Sequence, residues 1–305
     1  MVAVAPLKIP GVESPFDLSN DKAYQNWRDC KLENYPGTVD RLKIDIADPA
    51  LLTQQEIASI QARLATANLV IYRLSSPVEG KGFISDLGQQ LGLHRLDGNL
   101  RADKDNISAI QVNEKPQPGE YIPYTNKPLS WHTDGYYNLP GKQIRAILMH
   151  CQQPALCGGD NAYLDHEIAY IHLRDANPAY IEALQIADVM TIPANIQASK
   201  MLRPEQSGPV FSIDTEGNLH MRYSARAHSV VWRDDTVTCE ARECLTDLLK
   251  QDSATLFRHR LEAGEGIISN NVLHCRTAFE DAESAGQQRL LYRARYFDRA
   301  RTGVN

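Results

Sequence analysis

Ser130-Trp131-His132-Thr133-Asp134-Gly135 places an imidazole and a carboxylate two residues apart. On an extended strand the side chains of i and i+2 share a face, roughly 7 Å apart at about 3.3 Å rise per residue, so His132 and Asp134 can grip one metal ion. A third ligand candidate, His274, closes the distant stretch Asn270-Asn271-Val272-Leu273-His274. Two histidines and one carboxylate make a facial triad. Such a triad leaves the opposite face of a six-coordinate iron open, the arrangement of non-haem Fe(II) oxygenases. The competing reading is accident, since nine histidines and many aspartates can generate one His-x-Asp pair whose members merely pack.

A second stretch bears on that choice. Arg289-Leu290-Leu291-Tyr292-Arg293-Ala294-Arg295-Tyr296-Phe297 reads as a strand with Arg289, Leu291, Arg293, Arg295 and Phe297 on one face. Arginines that share a face with Leu and Phe do not read as solvated charge. A guanidinium offers a rigid fork of donors that matches a carboxylate bidentately, so an arginine shortly after the second histidine suits a dicarboxylate co-substrate. The plain alternative for any one of them is a surface salt bridge.

Taken together, His132-x-Asp134, His274 and Arg289 within Arg289-Leu290-Leu291-Tyr292-Arg293 resemble the iron and 2-oxoglutarate motifs of the taurine dioxygenase-like family, which includes a γ-butyrobetaine hydroxylase branch. The span Asn270 to Arg295 is similar to that family's C-terminal signature in order and spacing, and the resemblance covers roughly residues 70 to 298. It implies a mainly β, α+β fold with flanking helices around a double-stranded β-helix, or jelly roll. It also implies Fe(II) on His132, Asp134 and His274, 2-oxoglutarate chelating the metal with its distal carboxylate on Arg289, and O2 as the oxidant. The implied reaction hydroxylates a C–H bond and releases succinate and CO2. Asp134 argues against halogenation, because halogenases of this superfamily carry a small residue in place of the carboxylate. One position departs from the pattern: Cys157-Gly158-Gly159-Asp160-Asn161 offers Asn161 where the family often has a hydroxyl residue for the distal carboxylate. An amide can also donate to a carboxylate.

For the substrate, Arg222-Tyr223-Ser224-Ala225-Arg226-Ala227-His228 puts Arg222, Ser224, Arg226 and His228 on one face if extended, and Arg293 resembles an arginine that meets substrate in the relatives. These basic groups, with Arg293, Arg226 and His228 as anchors, predict a small anionic substrate such as a carboxylate, sulfonate or phosphonate. The alternative for Arg226 and His228 is structural pairing with Asp234 or Asp235. Tyr124 and Tyr136 stand near the first ligands, as pocket wall or as part of a cage for a quaternary ammonium. Two further classes remain open: a cupin-like metal enzyme without 2-oxoglutarate, which has no need of Arg289, and a metal-free binding protein on the same scaffold.

Composition narrows the field. The 43% hydrophobic and 23% charged content excludes a disordered or fibrous chain. A net charge of −6 argues against a nucleic-acid partner held on a basic face. No apolar run approaches the roughly 18–20 residues of a membrane span, and the N-terminus lacks the pattern of a signal peptide. Six cysteines without Cys-x-x-Cys pairs fit a reducing compartment, so the expectation is a cytoplasmic enzyme, with a homo-oligomer by analogy to the relatives.

Residues 1–305 carry no linker or repeat, so one domain is expected, with residues 1–105 packing helices and strands on the β core. Within that region Thr53 with Glu56 reads as a capping box before an amphipathic helix, Leu69–Leu74 as a buried strand and Phe83–Leu91 as a short helix. Further along, a strand is expected over Ile144–His150, helices over 165–177, 178–186 and 238–253, and strand-like runs over 219–231 and 267–274.

Overall fold

The computed structural model describes residues 14–98, 103–112, 122–197, 200–226, 230–284 and 287–301. The chain forms two compact units, one from residues 36–165 with 253–305 and the other from 1–35 with 166–252. Each is a mixture of strands and helices, and the strand-rich character with flanking helices is as expected.

The first of these units holds every residue of the central motif. Its larger sheet has six strands in the order Lys43–Ile46, Leu69–Leu74, Glu265–Ser269, Ala146–Gln153, Leu290–Tyr296 and Ser108–Ile110. The first pair is parallel and the other neighbours are antiparallel. A second sheet of four antiparallel strands runs Leu256–His259, Asn161–Leu164, Leu273–Arg276 and Leu129–His132. Side chains cross between the sheets, since Glu265 of the first meets His259 of the second at 2.7 Å.

Helices cover the far face of the larger sheet. Ile60 and Leu64 of helix Gln54–Ala67, and Ile84 and Leu87 of helix Phe83–Gln90, join Val70, Leu148, Ile268, Ala294 and Tyr296 in one apolar cluster. The first of these helices starts where its sequence says. Thr53 Oγ1 accepts from the Glu56 amide at 3.2 Å, and Glu56 Oε2 accepts from the Thr53 amide at 2.7 Å. Reciprocal capping of this kind satisfies orphan amides and is worth about 1 kcal/mol. The helix stops at Asn68, whose backbone turns left-handed at φ 54°.

Three expectations need correcting. The run 267–274 is two strands, because Glu265–Ser269 belongs to the larger sheet and Leu273–Arg276 to the smaller. The chain crosses at Asn270-Asn271, with Asn271 at φ 56°, a left-handed conformation that Asn tolerates better than other side chains. Asp134 lies beyond the end of its strand, which stops at His132. The strand-like run 219–231 breaks after Leu219–Met221, so Arg222, Ser224 and Arg226 do not share a strand face, and His228 lies outside the described residues. A buried charge needs acceptors, and Arg222 takes the carbonyls of Met190, Gly208 and Gln206 at 2.8, 3.2 and 2.9 Å. Residues 14–35 group with the other unit. They form helix Asp21–Asn34 in the other unit, where Lys31 pairs with Glu167 and Arg174 lies 3.9 Å from the Tyr24 ring centroid.

Candidate metal centre and the cavity beside it

His132 and His274 face each other directly in the ladder between Leu129–His132 and Leu273–Arg276. Opposed residues of an antiparallel pair project from the same face. Their ring centroids lie 4.2 Å apart. Asp134 reaches the same place from the turn that follows, and Gly135 makes that turn possible. Its φ is +69°, and a Cβ there would meet Ile144 Cγ1 at 2.4 Å. One ligand atom from each of His132, Asp134 and His274 lies within 4.8 Å of the others, and all three residues are buried. Turn geometry, rather than period-two alternation, delivers the carboxylate.

The two imidazoles are oriented alike. His132 Nδ1 lies 2.9 Å from Ser130 O and His274 Nδ1 lies 2.9 Å from Val272 O. A carbonyl can only accept, so each Nδ1 carries the proton and each Nε2 keeps its lone pair for a metal. His132 Nε2 and Asp134 Oδ1 stand 3.5 Å apart, too long for a good hydrogen bond and suited to two atoms that share an ion. Burial pushes His274 down to about 4, helped by His132, so its imidazole is neutral near pH 7. Burial opposes ionisation of Asp134, but Arg293, His132, Arg295 and His274 outweigh it and hold the carboxyl well below the usual carboxylate range. Asp134 Oδ2 is buried and takes no hydrogen bond, although Arg293 Nη1 lies 3.2 Å away as an ion pair. Two imidazole nitrogens and one carboxylate are a donor set that fits Fe(II).

Asn271 fixes the carboxylate from behind. Its Oδ1 accepts from the Asp134 amide at 2.8 Å, and its Nδ2 donates to Asp134 O at 3.0 Å and to Ile144 O at 2.6 Å. Arg295, on the same strand face as Arg293, donates to Tyr137 Oη at 2.8 Å and pairs with Asp97. Neither Asn271 nor Arg295 was assigned a role from sequence. The only hint for Asn271 was an Asn-Asn pair just before the ligand strand, and its contacts to residues 134 and 144 are invisible without the fold.

The same unit holds a cavity lined by Cys151, Gly159, Asn161, Arg260, Arg289 and Leu291 among others. Arg289 is 5% exposed, yet among the described residues its guanidinium makes no ion pair and no hydrogen bond. Burial holds it below its ordinary value. The Phe279 ring lies between two guanidinium carbons, 4.9 Å from that of Arg289 and 4.7 Å from that of Arg276. Arg276 is committed, donating to Thr125 O and Lys127 O at 2.8 and 2.6 Å. Asp281 acts on Arg289 electrostatically without pairing with the guanidinium, and a buried guanidinium with donors to spare fits an anion such as a dicarboxylate. Asn161 is buried at the cavity, its Nδ2 spent weakly on Gly159 O at 3.4 Å.

The remaining expected residues are distributed unevenly. Tyr136 stands edge-on to His132 at 6.4 Å between centroids, and Tyr124 is buried in the short helix Ile122–Tyr124. Arg293 is engaged by Asp134. Arg226 belongs to the other unit, is partly exposed and makes no ion pair with Asp234 or Asp235. His228 lies outside the described residues.

Residues 31–295 match the family of taurine catabolism dioxygenases TauD and TfdA. The chain belongs to that family. A uridine-5'-phosphate dioxygenase from Amycolatopsis sp. is 27% identical over 176 residues, and the match spans 56% of this chain and 62% of that relative's length. Solved structures with the same fold include asparagine oxygenase in complex with Fe(II), (2S,3S)-3-hydroxyasparagine and succinate, at 20% identity and TM-score 0.54, covering 79% of this chain and 78% of that one. Another is the non-haem iron oxygenase OrfP with iron and α-ketoglutaric acid, at 16% identity and TM-score 0.55, covering 82% and 85%. Among the described residues no helix is long and apolar enough to cross a membrane.

Proposed function

We propose that this chain is an Fe(II)- and 2-oxoglutarate-dependent dioxygenase that hydroxylates an unactivated C–H bond of a small anionic metabolite. The observation that carries the reading is Arg289, a buried guanidinium without an ion pair among the described residues, just before the strand that brings Arg293 to the triad carboxylate. In this reading the Nε2 atoms of His132 and His274 and a carboxylate oxygen of Asp134 hold the metal. Arg289 takes the distal carboxylate of the co-substrate through paired N–H donors, with Asn161 alongside. When bound, Fe(II) with 2-oxoglutarate and O2 supplies the oxidising chemistry, leaving succinate and CO2 and placing one oxygen atom on the substrate.

The protein's own share is electrostatic and geometric. Arg293 keeps Asp134 ionised, Asn271 fixes its backbone, and the Ser130 and Val272 carbonyls fix both tautomers. Burial of all three ligands keeps bulk water from the reacting centre. The two sheets of the unit around the triad act in this reading as the walls of a double-stranded β-helix, and the two units work as one catalytic domain.

An anionic substrate is supported by the Amycolatopsis relative, a uridine-5'-phosphate dioxygenase. Tyr124 and Tyr136 are the wall residues, and Arg226 and His228 the anchors beyond Arg293. Free thiols at all six cysteines suit a cytoplasmic enzyme. The test is Fe(II)-dependent release of succinate from 2-oxoglutarate across a panel of carboxylates, sulfonates and phosphate esters. Turnover that needs both iron and 2-oxoglutarate, and rises with one member of the panel, is the expected result. Iron-dependent oxidation that ignores 2-oxoglutarate overturns the proposal in favour of a cupin-like enzyme.

A further inference from the structure

The hydroxyl residue missing at position 161 leaves the co-substrate carboxylate short of a donor, and the fold offers another two residues away. Asn161 and Tyr163 lie in one strand and alternate onto the same face, the one that lines the cavity at Asn161. Tyr163 is paired in register with His274, so its side chain starts beside a metal-ligand candidate and projects into the space between the sheets. It is 1% exposed, and its hydroxyl has no hydrogen-bond partner among the described residues. A buried phenol normally finds a partner, because stripping a hydroxyl of water without one is unfavourable. The cation whose field reaches this phenol is Arg289, and Cys151 of the cavity wall acts on it as well. From the other side, Tyr163 is among the groups that act on Arg289.

We infer that the Tyr163 hydroxyl donates a hydrogen bond to the distal carboxylate of 2-oxoglutarate beside Arg289, replacing the hydroxyl that Asn161 lacks. This rests on the 2-oxoglutarate reading of the site. The arrangement also accounts for Asn161, whose amide is turned toward the Gly159 carbonyl. Tyr163 is a positioning residue for the co-substrate and touches neither the metal nor the bond that is oxidised.

Tyr163→Phe removes only the hydroxyl. Anaerobic titration of the Mn(II)- or Fe(II)-loaded protein compares 2-oxoglutarate with 2-oxovalerate, which keeps the metal-chelating end and lacks the distal carboxylate. The expected result is 2-oxoglutarate affinity lower by on the order of tenfold in Tyr163→Phe, with 2-oxovalerate affinity unchanged. The metal-free variant melts no lower than the parent, since the lost group had no partner to leave behind. Equal 2-oxoglutarate affinity in parent and variant overturns this inference alone. So does a parallel loss for both oxo-acids, which marks a general packing defect. Failure of the parent itself to bind 2-oxoglutarate overturns the proposed function, and this inference with it.

Discussion

The two faces of the Leu290–Tyr296 strand are buried to a similar degree and filled in opposite ways. Ala294 and Tyr296 are 0% and 1% exposed and pack into the apolar cluster under the helices. Arg295 on the other face is 3% exposed, and it lines up with Arg293 and the preceding Arg289 toward the smaller sheet. Burial alone does not separate a core from a site. What separates them is the obligation that a buried charge creates: each guanidinium must find acceptors or wait for a ligand. Arg293 and Arg295 have theirs in Asp134, Asp97 and Tyr137, and Arg289 does not. The strand's apolar face therefore serves stability, and its charged face defines where an anion belongs.

That contrast can be broken most severely at the ligands. His274→Ala should lower Mn(II) or Fe(II) affinity by more than the roughly 100-fold that loss of a supporting partner costs, and should abolish turnover. On the apolar face of the larger sheet, Leu148→Ala should cost about 2–5 kcal/mol of stability by denaturant titration while leaving metal affinity of the folded protein unchanged. Next in size is Arg289→Ala, for which 2-oxoglutarate affinity should fall by about 100-fold with metal affinity intact. Arg289→Lys should recover only part of that, because an ammonium lacks the bidentate fork. Asn271→Gly should keep the left-handed backbone but lose the clamp on Asp134, with metal affinity lower by about 10-fold or more.

The smallest effect concerns pH and again pairs the two faces. His274 in the site and His150 in the apolar core are each pushed down to about 4 by burial. An unfolded chain takes up these protons near the ordinary value of 6.5, before the folded chain does. Stability of the metal-free protein is therefore full above that value and is lost as pH falls from 6.5 toward 4. A metal ion competes with the proton at His274 and cannot reach His150. Melting curves at pH 7.5 and pH 5 should show Mn(II) removing part of the acid loss and leaving the core histidine's share.

Much of this arrangement is legible in the sequence where chemistry and spacing coincide. The Thr53 and Glu56 capping box, the Leu69–Leu74 strand and the alternating arginines follow from local rules that the fold preserves. The expected ligands His132, Asp134 and His274 meet because residue type and order already narrowed the choice. What could not be read is what depends on register between distant strands. Tyr163 gains its place only from pairing with His274, and Asn271 only from contacts to residues 134 and 144. The run 219–231 misled because its alternation is that of a strand. Its buried Arg222 instead takes three carbonyls and ends the ladder.

The central claim is that the triad and Arg289 together hold one metal and one dicarboxylate. Anaerobic addition of 2-oxoglutarate to the Fe(II)-loaded protein tests it through the weak visible charge-transfer band of the chelate. The account predicts a band in the parent and in Leu148→Ala that weakens sharply at the same 2-oxoglutarate concentration in Arg289→Ala. Bound iron without any band, or a band indifferent to Arg289, would contradict it.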